Sequence, residues 1–403
     1  MRTIQVVGAG FSGLTTAYYL VKLGRRVRIV DVSSRPGGML RTIRTTHGLV
    51  ETAANGLRNS RRLEALCSEI GVPLQGTRRA ARARFIYRDR PRRWPLKLSE
   101  VFRLISSTAT NARSLRPQSF ETIAGWGQRT IGAGATDYFL APALGGIYAG
   151  DPEALSASLI FRKAAIPEEL HTGPPSRARL RGTVAPPAGM QQLIDALCAY
   201  LRKVGVEISL NQTAVMQPGE LAVVCTSARA AAEYLSDIAP DLSRQLEKIE
   251  MLPLVTATCF YSSQPANLLG FGCLFPRGQG FRSLGVLLNT CIFDNRGPAH
   301  SETWILGGAL DRDVLQLDDN ALQQLIAHER EYLYGRHEEA LAVHLTRWPE
   351  ALPHYSTELE RVLTTLPALP REVGLVGNYL GRIGLSGMVE RAASVAGKFS
   401  NTL

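Results

Sequence analysis

The stretch VVGAGFSGLTTAYYLVKLGRRVRIVD, residues 6 to 31, decides how the rest of the chain is read. Thr3 to Val7 read as a short buried strand and Ser12 to Leu23 as a helix. Leu14, Ala17, Tyr18 and Val21 share one helical face, and Gly24 ends the run. Arg26 to Val30 return as a second strand, which makes a βαβ unit with a glycine-rich first turn. In such a turn Gly8 permits the tight bend, Gly10 lets a pyrophosphate approach the backbone, and Gly13 lets helix and strand pack closely. Phe11 and Ser12 open the helix, whose free N–H groups and positive dipole end suit a phosphate. Asp31 lies 23 residues beyond Gly8 (31 − 8), where a carboxylate accepts hydrogen bonds from ribose hydroxyls. An acid there disfavours a phosphorylated ribose, which sets NADP aside and leaves NAD and FAD.

With 403 residues the chain exceeds the usual size of a single core, so two or three lobes are expected. It is 45% hydrophobic and 20% charged, the composition of a globular protein and not of a disordered one. Lysine and arginine number 46 against 35 acids, a formal charge of +11, which points to anionic partners. No apolar run is long enough to span a bilayer. The first strand starts within a few residues of Met1, so no signal peptide is expected. The six cysteines are scattered without a CxxC and read as reduced, mostly buried thiols, so the expected location is cytoplasmic. The seven histidines show no metal-ligand spacing, and no metal is expected.

Residues 61 to 71 read as an amphipathic helix. The segment GTRRAARARFIYRDRPRRWPLKL (76 to 98) then packs eight arginines among Phe85, Tyr87 and Trp94. Helical material follows to about 140, ending at Pro142 and the glycines 145, 146 and 150. Residues 167 to 188 read as a loop or lobe boundary, and 189 to 204 as a helix. Strand-like pieces at 206 to 210 and 220 to 226 follow, with PGE (218 to 220) able to close a small hairpin. An antiparallel sheet is predicted over 251 to 310. A helix near 319 to 335 then precedes a proline-rich loop. The chain closes with VGLVGNYLGRIGLSGMVERAASVAG, again a strand, a glycine loop and a helix. A second such unit suits a cofactor whose far ring needs a second helix N-terminus. The pair Gly37 and Gly38, followed by Arg41, lets backbone approach the pyrophosphate once more. Both features favour FAD over NAD.

Several stretches together resemble the protoporphyrinogen oxidases, a branch of the FAD-dependent amine-oxidase superfamily. They are VVGAGFSGL, the glycine pair at 37 and 38, RFIYRDRPRRWPL (84 to 96), GGIYAGDPEALS (145 to 156) and GFGCLFPRG (270 to 278). LGVLLNTCIFDNR (284 to 296), RWPEALPHY (347 to 355) and GNYLGRIGL (377 to 385) complete the set, in the order and at the spacing of the family. The resemblance implies an α/β fold: a Rossmann-like FAD-binding domain (1–58, 185–232 and 368–403), a mixed-sheet substrate domain (59–82 and 233–367) and a helical, membrane-facing lobe (83–184). It implies oxidation of protoporphyrinogen IX, with oxygen reoxidising the flavin. The cofactor carries the redox step, so no catalytic side chain is expected. By motif match, Arg84 anchors a propionate, Leu274 and Phe293 sandwich a ring of the macrocycle, and the backbone of Gly146 faces the substrate. Gly38, Arg41, Asn55, Gly56, Val215, Asn378, Ile383, Gly384 and Leu385 join the opening loop as cofactor residues.

The chain departs from the family at AANG (53 to 56), where only Asn55 of a glycine-proline-asparagine segment is kept, and at Ser386-Gly387-Met388. The segment between Asn211 and Thr226 is shorter than usual, which predicts weaker FAD binding, with Val215 the remaining adenine contact. The chain is also shorter around 167 to 185. The arginine-rich run matches no recognised nucleic-acid fold, and peripheral attachment to the inner face of the cell membrane fits it better. Coproporphyrinogen III, with four propionates, stays open as a substrate. So do a homodimer, an amine or polyene substrate, and a non-catalytic porphyrin-binding protein with a decayed flavin site.

Overall fold

In the computed structural model, residues 2–110, 115–161, 180–216 and 219–399 are described, with backbone alone over 107–110. The run Ile4–Val7 is wholly buried and forms the middle of a five-stranded parallel sheet. Its order is Glu207–Ser209, Val27–Val30, Ile4–Val7, Leu221–Val224, Val373–Leu375, with Val7 opposite both Val30 and Val224. Helices cover the faces of a parallel sheet, which is why its strands read as unbroken aliphatic runs. The helix Phe11–Lys22 packs against Gln191–Lys203 and against the closing helix Leu385–Lys398.

The hairpin expected across PGE does not form. Glu207–Ser209 and Leu221–Val224 run parallel with two strands between them, so the intervening segment is a crossover. Both runs are short, and closeness along the chain did not fix which neighbour each would pair with. Residues 217 and 218 of that segment lie outside the described residues.

A second, seven-stranded sheet has the order Ala342–Pro353, Met251–Tyr261, His300–Gly307, Gly285–Leu288, Gly272–Leu274, Phe85–Arg88, Arg90–Arg92. Its centre is the antiparallel sheet expected over 251 to 310. Gly272–Leu274 pairs parallel with Phe85–Arg88, which joins the arginine-rich stretch to it. The strand Ala342–Pro353 lies where the sequence reading passed from helix to proline-rich loop. It is an edge strand, where proline's missing N–H is tolerated, and its register shifts between Leu252 and Leu254 near Pro349.

The helices Leu98–Thr110, Ile123–Thr130 and Ala141–Tyr148 follow the second sheet's arginine-rich edge. Pro142 and the glycines 145 and 146, read as the end of helical material, lie inside Ala141–Tyr148. Proline is at home in a helix's first turn, and Ala149 ends this one with φ 51°. Arg88 ties the lobe to the sheet: it donates to both carboxylate oxygens of Glu100 (2.7 and 2.9 Å) and to the Pro95 carbonyl (2.8 Å). All six cysteines are buried and free. Most of the segment 167–185 lies outside the described residues.

Candidate active site

Two helix N-termini at the expected cofactor loops are left open. Gly10 caps Phe11–Lys22 and Gly384 caps Leu385–Lys398. Neither helix has a side-chain cap or an acidic residue in its first turn. By contrast, Ser60, Thr122, Ser227, Asp318 and Ser356 each cap their own helix by accepting from a first-turn N–H, and the N-terminus of Gln191–Lys203 is met by Glu51 and Thr42. The three glycines of the opening loop also divide. A Cβ on Gly13 would meet the Gly8 carbonyl oxygen at 1.8 Å, and one on Gly8 (φ 102°) the Cys225 carbonyl oxygen at 2.9 Å. Packing alone requires those two. A Cβ on Gly10 meets only the Gly38 Cα at 3.9 Å, and one on Gly384 meets nothing within 4 Å. At both open N-termini the glycine therefore clears space that the protein itself does not fill, which suits an incoming anion or polar ring edge.

Asp31 ends the second strand and works on the loop. Its Oδ2 accepts from the Ala9 N–H (2.5 Å) and its Oδ1 from the Ser33 N–H (2.7 Å). The Gly37 N–H donates to the Ala9 carbonyl (2.8 Å), which sets the second glycine pair against the first turn. Arg35 folds over that pair and donates to the Gly38 carbonyl (2.7 Å); burial, then the nearby Arg41, lowers its pKa from the usual arginine value. Arg41 is exposed and makes no side-chain hydrogen bond among the described residues. Asn211 and Gln212 are pinned by backbone bonds to Ser33 and Asp31, and Val215 follows, 61% exposed.

Residues 52 to 58 bridge the two open ends. Thr52 takes the Arg41 carbonyl with its N–H (3.0 Å) and the Met39 carbonyl with its hydroxyl (2.8 Å). At the far end Ser386, in the first turn of the closing helix, donates to the Arg58 carbonyl. Asn55 stands between, with a buried Nδ2 that has no partner among the described residues. Beyond the bridge, the Asn378 carbonyl accepts from the Tyr355 hydroxyl just ahead of Ile383, Gly384 and Leu385. The orphaned amide of Asn55, the two cleared N-termini and the bridge between them fit a dinucleotide flavin laid out from Gly10 to Gly384.

Sequence reasoning missed the ion pair beneath this bridge. Glu51 and Arg296 meet at 3.1 Å, each side chain 2% exposed. Glu51 also accepts from the Met190 N–H (3.0 Å) and the Thr42 hydroxyl (2.8 Å). Burial pushes the Glu51 carboxyl up and the Arg296 guanidinium down, each partly offset by the other's charge. Arg296 donates to the Asn55 carbonyl (3.2 Å) and lies 4.8 Å from the Phe293 ring centroid. Trp348 and Thr256 both donate to the Thr52 carbonyl, at 2.8 and 3.1 Å. Arg296, Phe293 and Trp348 sit in quoted motifs, but their meeting with Glu51 and Thr52 has no signal in a single sequence.

The expected substrate residues fall into two groups. Arg84 is exposed at the start of the strand Phe85–Arg88, its guanidinium 4.5 Å from the Phe271 ring centroid. Leu274 lies one strand over, opposite Ile86, and its Cδ2 would be 2.5 Å from a Cβ on Gly146. Glycine at 146 thus makes room for Leu274. Phe293 is 2% exposed and belongs to another neighbourhood, beneath Gly56, whose added Cβ would meet its Cζ at 3.0 Å. Phe271 packs against the same apolar cluster as Phe293, which links the two groups.

The profile of the flavin containing amine oxidoreductase family matches residues 11–378. Protoporphyrinogen oxidase 2 of Arabidopsis thaliana is 22% identical, over 98% of this chain and 93% of its own length. The mitochondrial protoporphyrinogen oxidase of Nicotiana tabacum is 24% identical, over 98% of this chain and 94% of its own. Among solved structures, an Exiguobacterium sp. 255-15 protein provisionally named a protoporphyrinogen oxidase superposes with a TM-score of 0.81 at 18% identity. That match covers 100% of this chain and 99% of that one, and it shows a shared fold.

Proposed function

This chain belongs to the flavin containing amine oxidoreductase family and is an FAD-dependent oxidoreductase; from that premise we propose that it oxidises protoporphyrinogen IX to protoporphyrin IX. FAD, when bound, would supply the hydride acceptor, and oxygen would serve as the final electron acceptor. The residues of the chain bind and orient. The Arg84 guanidinium pairs with a propionate, a planar fork against a carboxylate. Leu274, seated against Gly146, and Phe293 supply apolar wall, and Asn55 offers its unpaired amide to the flavin. The observation that supports the reading is a set of placements: Arg84 over Phe271, Phe271 at the margin of the apolar cluster that contains Phe293, and Phe293 against Gly56 beside Asn55. The names of the Arabidopsis and Nicotiana relatives support the substrate.

The test uses the absorption spectrum of the purified protein, then porphyrin fluorescence after protoporphyrinogen IX is added in air. Flavin bands and rising fluorescence are expected. In Arg84→Ala the flavin bands should persist while the Michaelis constant rises about tenfold or more, the worth of one charge-assisted contact. Flavin without porphyrin formation would sink the reading. The cluster of exposed arginines around Arg84 (Arg79, Arg82, Arg90) favours coproporphyrinogen III as the second reading, which the same assay distinguishes with that substrate.

The helical lobe is further proposed to rest on an anionic membrane surface. Leu98, Phe102 and Ile105 are exposed at helical spacing. Trp94 and Phe139 stand beside them with ring centroids 5.8 Å apart, and Arg92, Arg93 and Lys97 lie close by in sequence. An apolar stripe edged by cations suits a headgroup interface. No helix among the described residues is long and apolar enough to cross a membrane.

A further inference from the structure

Arg296 is a deeply buried charge in contact with the bridge between the two open helix ends. One guanidinium meets three different groups there. It pairs with Glu51 at 3.1 Å, donates to the Asn55 carbonyl at 3.2 Å, and lies 4.8 Å from the centroid of the Phe293 ring. The Glu51 contact is enough to neutralise the charge, so the other two are not needed for that purpose. They give a different service. The Asn55 carbonyl is held from below, which restrains the peptide that carries its side-chain amide, and that amide is the buried donor without a partner among the described residues. The Phe293 ring is held between Arg296 and Gly56, whose missing Cβ would lie 3.0 Å away.

We propose that Arg296 is a positioning residue that sets the Asn55 amide against the flavin and the Phe293 ring against the substrate at once, so that the two sites share one tether. The proposal rests on the cofactor and substrate reading above. Neutralisation needs only a positive charge, whereas positioning needs a planar fork with several N–H groups in fixed directions and a flat face for the ring. Lysine supplies the first and not the second.

The experiment therefore compares wild type with Arg296→Lys, and with Glu51→Gln/Arg296→Met in case a lone ammonium is not tolerated in the buried site. Five quantities are measured: thermal midpoint of the apoprotein, FAD dissociation constant by fluorescence quenching, visible circular dichroism of the bound flavin, and kcat and KM for protoporphyrinogen IX. In whichever variant keeps the wild-type apoprotein midpoint, the flavin dichroism should change shape. FAD should bind about tenfold more weakly, and KM should rise several-fold. Unchanged dichroism, FAD affinity and KM in a folded variant would overturn the tether and leave the functional reading standing. A wild-type protein that takes up no flavin would overturn both. Flavin dichroism altered with KM unchanged would overturn the shared tether, because the substrate side would then be independent of Arg296.

Discussion

Asp31 does two things with one carboxylate. Both oxygens accept backbone N–H groups, from Ala9 and Ser33, and so shape the turn on which a pyrophosphate would sit. The same side chain stands at the strand end where a ribose is expected. Asp31→Ala should therefore weaken FAD binding about tenfold or more, read as a dissociation constant or as flavin lost on gel filtration. Full retention would show that loop and ribose are held by other groups. At this scale the sequence was legible where a residue answers to its own backbone. Gly8, Gly13 and Asp31 belong to one local turn, and spacing alone assigns them. Arg84, Leu274 and Gly146 carry no such local signal and were found through motif resemblance. Arg296 and Glu51 were not found at all, since they meet across 245 positions of chain, which no local pattern records.

Among the elements, the helix Leu98–Thr110 is tied to the second sheet through the Arg88–Glu100 clamp. Hydrogen bonding to the Arg88 guanidinium holds the Glu100 carboxyl below the usual glutamate range. A carboxyl depressed in the folded state contributes stability that is complete above the ordinary value of about 4.3 and is lost as pH falls through the lower folded value. Thermal midpoints taken between about pH 3 and 5 should therefore fall less steeply with acid in Glu100→Gln than in wild type. Parallel acid limbs would mean that the clamp adds nothing to folding. The elements that were legible have strong local periods, such as Phe11–Lys22 and Asp319–Tyr334. Proline and glycine misled the reading in Ala342–Pro353 and Ala141–Tyr148, because an edge strand and a helix's first turn both tolerate proline. Strand pairing around 211–220 was not readable, because a parallel sheet takes its order from long-range packing.

Taken whole, the molecule carries an apolar stripe on one lobe and a surplus of cations. Replacing Leu98 and Phe102 together by Glu should abolish cosedimentation with phosphatidylserine vesicles while flavin content and turnover in detergent stay at wild-type levels. Each side chain contributes roughly 1.5–3 kcal/mol when buried. Equal vesicle binding by the variant would remove the stripe from that role. Composition bounded only the size and the charge at this scale; the fold class, a Rossmann-like sheet beside a mixed sheet, followed from the resemblance. The five-stranded sheet has one more consequence. Its first strand lies at Ile4–Val7 and its last at Val373–Leu375, and the second open helix end lies beyond that. During synthesis on the ribosome the glycine loop emerges well before the surface expected to complete it. A fragment that stops short of Leu385–Lys398 would carry the nucleotide motif and lack the second open helix end, so on the reading proposed above cofactor loading waits until that helix has been made.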